Sequence, residues 1–217
     1  MYVKKFWIGF SLLVLILTGC AGKRTQKEYT KNNSNKQVNM NTDTAILAGG
    51  CFWCLDAVYR QMEGIVSIEC GYANGKIKKP TYKEVCSGLT GHAEVTQLVF
   101  DTEKTNYAEI LTVFWKIHDP TTLNRQGNDI GTQYRSGIYY RNDAQKDIAL
   151  KSRDAAVESK LWEDPIVTEI VPLDCYYAAE EYHQDYYSNN PDQPYCVAVV
   201  GEKAAKFRKL FADKLKK

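Results

Sequence analysis

The stretch "TAILAGGCFWCLDAVYRQM", residues 44–62, constrains the fold of this chain more than any other. A short apolar run ends in two glycines, and Phe52, Leu55, Val58, Tyr59 and Met62 then recur at helical spacing. That pattern predicts a strand, a tight turn and a helix with Cys51 at its start. The free N–H groups and positive dipole end of such a helix favour a thiolate at Cys51. Gly49 and Gly50 allow close approach of backbone or ligand.

The rest of the chain continues the alternation. "GIVSIECGYANG", "HAEVTQLVFD", "SGIYYRN" and "PIVTEIVPL" read as strands. "NYAEILTVFWKIHD", stopped by Pro120, and "DAQKDIALKSRDAAVESKLW", opening at Asn142 or Asp143, read as helices. "AAEEYHQDYYSNN" also reads as helical, and the basic segment 201–217 as a terminal amphipathic helix. With one long loop, 118–135, between these elements, the expected class is α/β (α+β). The architecture is a two-layer sandwich of a mixed β-sheet with packed helices and a ferredoxin-like core. The sequence has no internal repeat.

The amino end is expected to lie outside that fold. "MYVKKFWIGFSLLVLILTGC" places Lys4 and Lys5 before an apolar run, with small residues ahead of Cys20. This is the three-part pattern of a secretory signal, too short for a comfortable membrane span. Its end, "LTGC", resembles the lipobox of bacterial lipoproteins, so residues 1–19 are expected to be removed and Cys20 lipidated. The polar segment up to residue 42 reads as a tether, 43–200 as the main folded domain and 201–217 as the basic helix. The expected location is the bacterial cell envelope, on a lipid anchor. A formal net charge of +2 gives no argument for nucleic acid.

Export changes what the cysteines permit. Besides Cys20, the chain carries Cys51, Cys54, Cys70, Cys86, Cys175 and Cys196, and oxidation is allowed outside the cytosol. Six thiols allow fifteen pairings, but a domain of this size does not need staples. Cys54, one turn after Cys51, could close a CxxC disulfide. A zinc half-site at this pair would need a second pair at ligand spacing, and none is present. Phe52 and Trp53 between the thiols fit either a core or a pocket wall for a small apolar group. Glu94 follows a Gly/Thr/His turn on a strand with an apolar inward face. Buried there, it would have a raised pKa and serve as a general acid; exposed, it would be an ordinary edge glutamate. Long polar loops such as 118–135, with Arg125, Asp129 and Tyr134, tend to carry function.

Five words together carry a resemblance: "GGCFWC", "GYANG", "TYKEVCSGLTGHAEVTQLVFD", "HDPTTLNRQGNDIGTQYRSGIYY" and "AAEEYHQDYY". They resemble the A-type peptide methionine sulfoxide reductases, MsrA, from about residue 44 to 199. The resemblance implies that Cys51 is the nucleophile on a methionine S-sulfoxide, protein-bound or free. Phe52 and Trp53 would hold the substrate methyl, and Glu94 would protonate the sulfoxide oxygen. Tyr82 and Tyr134 would donate hydrogen bonds to that oxygen, Asp129 would organise the pocket, and His183 would support it. A sulfenic acid on Cys51 would be resolved by Cys54 or Cys196, with Cys54 the nearer. A thioredoxin-like dithiol would recycle the enzyme as an external reductant, with no bound cofactor or metal, and the protein is expected to be a monomer. Cys54 stands where glycine is common in the family, and Asn74 where a turn glycine is common. Cys70, Cys86 and Cys175 are expected to be buried or bystanders. Two other readings remain: a general disulfide oxidoreductase, and a non-catalytic binding lipoprotein stapled by three bridges.

Overall fold

The computed structural model describes residues 41–217. The expected signal, the expected lipidation site Cys20 and nearly all of the expected tether lie outside the described residues. Among the described residues, no helix is long and apolar enough to cross a membrane.

The opening motif folds as its pattern predicts. Strand β1 (Thr42–Gly49) ends at a turn, and helix α1 (Phe52–Tyr59) begins with Cys51 at its N-cap. Gly50 carries the turn at φ 86°, where a side chain would also meet Gln126 at 2.5 Å. The chain continues through β2 (Ile65–Ala73), α2 (Tyr82–Cys86), β3 (Ala93–Asp101) and α3 (Tyr107–Ile117). Inside the long loop, β4 (Arg125–Gln126) and β5 (Asp129–Ile130) form a two-stranded hairpin. Then come β6 (Ser136–Tyr140), α4 (Asp143–Glu158), β7 (Glu169–Pro172), β8 (Tyr176–Ala178), α5 (Tyr186–Asn189) and α6 (Gly201–Leu210).

The main sheet has the order β7-β6-β1-β3-β2-β8. Its inner four strands, with α1 after β1 and α3 after β3, are the split βαβ arrangement of a ferredoxin-like core. All its neighbours are antiparallel except β6 and β7, so the sheet is mixed, as expected. Alternation along β1 sends Ala45 and Leu47 to one face and Ile46 and Ala48 to the other. The first face carries the main core, where Leu98 and Phe100 of β3 meet Leu55, Tyr59, Phe114, Ala149 and Phe207 from four helices.

Local signals explain most boundaries. Asn106 and Asn142 cap α3 and α4 by accepting from the N–H groups of Glu109 and Gln145. Thr81 and Glu84 form a reciprocal capping box that starts α2. Two expected helices are shorter than their patterns. In "AAEEYHQDYYSNN" the chain makes a 3₁₀ turn at Glu181–His183, passes through left-handed Asp185 (φ 51°), and only then forms α5. The terminal helix stops at Leu210, because Leu215 pairs as a β-bridge with Met62 and Lys216 donates to the Gln61 carbonyl. The strand expected over "PIVTEIVPL" forms only at Glu169–Pro172, alongside β6.

Candidate active site

Cys51 sits where β1 gives way to α1 and is only 7% exposed. One face of its surroundings is the buried cluster of Phe52, Cys54, Tyr72 and Cys196, against which Trp53, Tyr82, Tyr134 and Tyr195 pack. The other component is polar. Glu94 comes in from β3, 1% exposed, and its Oε2 accepts the Phe52 N–H at 3.1 Å. Thr96, two residues along the same strand, donates its hydroxyl to the Phe52 carbonyl at 3.3 Å. The first turn of α1 is thus tied to β3 through both polar groups of Phe52.

Burial dominates the protonation states. It pushes the Glu94 carboxyl up to about 8, against the Phe52 N–H, which pulls the other way; the charges of Asp129 and Cys54 add to the rise. Glu94 is therefore a neutral acid at neutral pH. Burial also raises the Tyr82 and Tyr134 hydroxyls, with Glu94 adding to both, so each remains an O–H donor. The Tyr82 hydroxyl donates to Cys86, the exposed thiol at the end of α2.

The two thiols share a hydrogen bond, and the expectation of an ionised Cys51 is corrected by its depth. Burial, donation of the Cys51 S–H to Cys54, and the nearby Glu94 raise Cys51 well above an ordinary thiol. The Trp53 N–H at the helix start opposes these effects and is outweighed. Cys54 moves the opposite way, because the hydrogen bond from Cys51 lowers it more than burial raises it. The shared proton thus raises Cys51 and lowers Cys54, and the two thiols titrate as a pair.

The pocket wall is aromatic. Trp53 stacks on Tyr186 with centroids 3.8 Å apart and planes 7° from parallel, and Tyr195 meets it edge-on at 6.0 Å. Phe52 and Trp53 both flank His183, at 5.0 and 5.6 Å. His183 is buried with no hydrogen-bond partner on either ring nitrogen, and burial lowers its pKa, so it sits there as a neutral ring. Asp129, on the β5 edge of the hairpin, accepts the Tyr195 hydroxyl at 2.6 Å. No cluster of three potential metal ligands occurs among the described residues.

A family model described as peptide methionine sulfoxide reductase matches residues 43–215. The chain belongs to this family. It is 55% identical over 174 residues to peptide methionine sulfoxide reductase MsrA 1 of Rhodopirellula baltica, covering 80% of this chain and 90% of that one. A MsrA from Trichodesmium erythraeum is 50% identical over 80% of this chain and 98% of its own. Among solved structures, reduced Mxr1 from Saccharomyces cerevisiae superposes with a TM-score of 0.68 at 39% identity, covering 71% of this chain and 89% of that one. Methionine sulfoxide reductase A of Corynebacterium diphtheriae does so with a TM-score of 0.62 at 34% identity, covering 69% and 76%. The chain is thus an oxidoreductase, and its reaction is the reduction of methionine sulfoxide.

The structure gathers Cys51, Phe52, Trp53, Cys54, Tyr82, Tyr134 and Cys196 into one cluster, with Glu94 bonded to it. Asp129 reaches it through Tyr195, and His183 through the rings of Phe52, Trp53 and Tyr82. Three participants escaped sequence reasoning. Tyr195 bonds Asp129 and packs against the cluster that holds Cys54, and its only sequence signal is adjacency to Cys196. Tyr186 forms the stack on Trp53. Glu180 accepts the Tyr72 hydroxyl and the Tyr82 N–H, each at 2.8 Å, and so fixes the start of α2. All six cysteines among the described residues are free thiols; Cys70 is buried, and Cys175 half-buried.

Proposed function

We propose that this chain reduces the S epimer of methionine sulfoxide, free or in proteins, with Cys51 as nucleophile and Glu94 as acid. The observation that carries this reading is the buried Glu94 carboxyl, bonded to the residue next to Cys51. A sulfoxide oxygen is a poor leaving group until it is protonated or strongly hydrogen-bonded. Glu94 gives it a proton, and the Tyr82 and Tyr134 hydroxyls donate to it. Phe52 and Trp53 offer the substrate methyl an apolar wall. The Cys51 sulfur then bonds to the electrophilic sulfur, and the proton it sheds restores Glu94. In net terms the oxygen passes to Cys51. The methionine sulfur gains two electrons, Cys51 loses two and becomes a sulfenic acid.

Cys54 resolves that sulfenic acid. Its sulfur attacks Cys51, the S–S bond forms, the S–O bond breaks and the oxygen leaves as water. A thioredoxin-like dithiol then reduces the bridge by exchange. Cys196, in the same cluster, is the alternative resolver. Mass spectrometry after one turnover without reductant tests the assignment. A Cys51–Cys54 bridge is expected, and a Cys51–Cys196 bridge would transfer the role. Cys51→Ser should abolish reduction, and retained activity would end the reading.

The sequence at residues 1–20 supports export and attachment through Cys20. Cys20→Ala should release the enzyme from the membrane fraction and abolish incorporation of a palmitate analogue.

A further inference from the structure

Resolution by Cys54 poses an electrostatic problem. The Cys54 side chain is completely buried. Around it stand Cys51 and Glu94, Cys70 and Cys196, and the Asp129–Tyr195 pair, all neutral or potentially negative. An unbalanced thiolate at that depth would be costly.

One cation faces this region. A continuous helical run joins the π-turn Cys196–Val200 to α6, and its inward stripe is Cys196, Val200, Ala204 and Phe207. Lys203 flanks that stripe and is half-buried, while Lys206, Arg208 and Lys209 of the same helix are exposed. With Asp129, Tyr195 and the exposed Glu202, Lys203 lines a cavity of about 400 Å³ between α6 and the β4–β5 hairpin. Among the described residues its ammonium has no carboxylate within 4.0 Å, whereas Lys214 has Glu109 at 3.4 Å and Lys206 lies over the Trp162 ring. A half-buried lysine with no ion-pair partner, on the helical run whose Cys196 and Val200 pack in the Cys54 cluster, suits balancing charge on sulfur.

We propose that Lys203 is the positioning residue that holds Cys54 as a thiolate, ready to close the bridge with oxidised Cys51. This rests on the reading of Cys54 as resolver. The hydrogen bond from Cys51 favours ionisation of Cys54 and burial opposes it; Lys203 acts in the same sense as that bond, and Asp129 against it. Once Cys51 is oxidised to the sulfenic acid, its S–H no longer exists to donate. The Lys203 charge then becomes the main support for the Cys54 anion. Attack by that anion forms the S–S bond and expels the sulfenic oxygen, which leaves as water after protonation.

The test uses the full chain in single turnovers without reductant, following methionine release and bridge closure separately. In Lys203→Met, closure at neutral pH should lag methionine release by about tenfold more than in the wild type, the effect of one unit in thiol pKa. The lag should shrink as pH rises, and Lys203→Arg should restore closure. The ultraviolet thiolate titration of the reduced protein should move to higher pH in Lys203→Met and be unmoved in Lys203→Arg. Closure that follows methionine release in Lys203→Met as in the wild type at every pH, or an unmoved titration, would overturn the role of Lys203. A Cys54→Ser protein that closes a Cys51–Cys196 bridge at the wild-type rate would instead overturn the assignment of Cys54, and the proposal with it.

Discussion

The two ends of β3 share a face and a depth but not a chemistry. Glu94, Thr96, Leu98 and Phe100 alternate onto the same side of the strand, and each is 1% exposed or less. At the far end, Leu98 and Phe100 meet apolar side chains from the helices. At the near end, Glu94 and Thr96 meet the two main-chain polar groups of Phe52. Depth alone therefore does not make a core. The apolar end gains stability from being dry, while the polar end gives some up. One N–H does not replace the water a carboxylate has lost, so Glu94 becomes an acid poised near neutral pH. The site is a stretch of core face in which packing has been exchanged for proton chemistry.

The largest expected break in this contrast is Glu94→Gln. Loss of the acid should slow reduction by about 10²–10⁴-fold. The wild-type rate should fall as pH rises through about 8, where Glu94 ionises, and the variant should lack that limb. Stability should change in the other direction. Folding raises this carboxyl from 4.5 to about 8, so below 4.5 its burial costs nothing extra, and stability is lost as pH rises towards 8. Glu94→Gln removes that slope, and denaturant melts at several pH values should show the variant gaining on the wild type across this window. A variant that is slow and also less stable at pH 8 would break the comparison.

At the other end, Phe100→Ala should cost about 3–5 kcal/mol in denaturant unfolding, with the rate per folded molecule unchanged. A matching loss of rate would show that the two ends are not separable. The smallest effect is expected from Thr96→Val, which removes one hydroxyl bond to the Phe52 carbonyl. A loss of about 1 kcal/mol in unfolding free energy is expected, with a modest fall in rate as the first turn of α1 loosens. No change in either would mean that the Glu94 bond alone holds that turn.

Much of this was legible from residues alone, for physical reasons. β3 alternates over nine residues, and α3 and α4 carry asparagine caps and helical periodicity. The glycine turn before Cys51 also signals its geometry directly. The protonation state of Cys51 was not legible, because the helix start that favours a thiolate is local, while the burial that overrules it comes from the tertiary structure. The split of "AAEEYHQDYYSNN" into a 3₁₀ turn and a short helix follows from the same limit. Its rings are placed by Trp53 and Phe52, far away in sequence. The hairpin in the long loop has two residues per strand, too few for alternation to register.

The unequal exposure of the two thiols gives disulfide exchange a direction. Cys54 has no accessible surface, while Cys51 has a little. A bridge between them would offer an incoming thiol only its Cys51 sulfur. Cys54 would then depart as the leaving thiol. A mixed disulfide trapped with any protein reductant would be joined through Cys51, so the sulfur proposed to take up the substrate's oxygen would also be the one that first touches the electron donor.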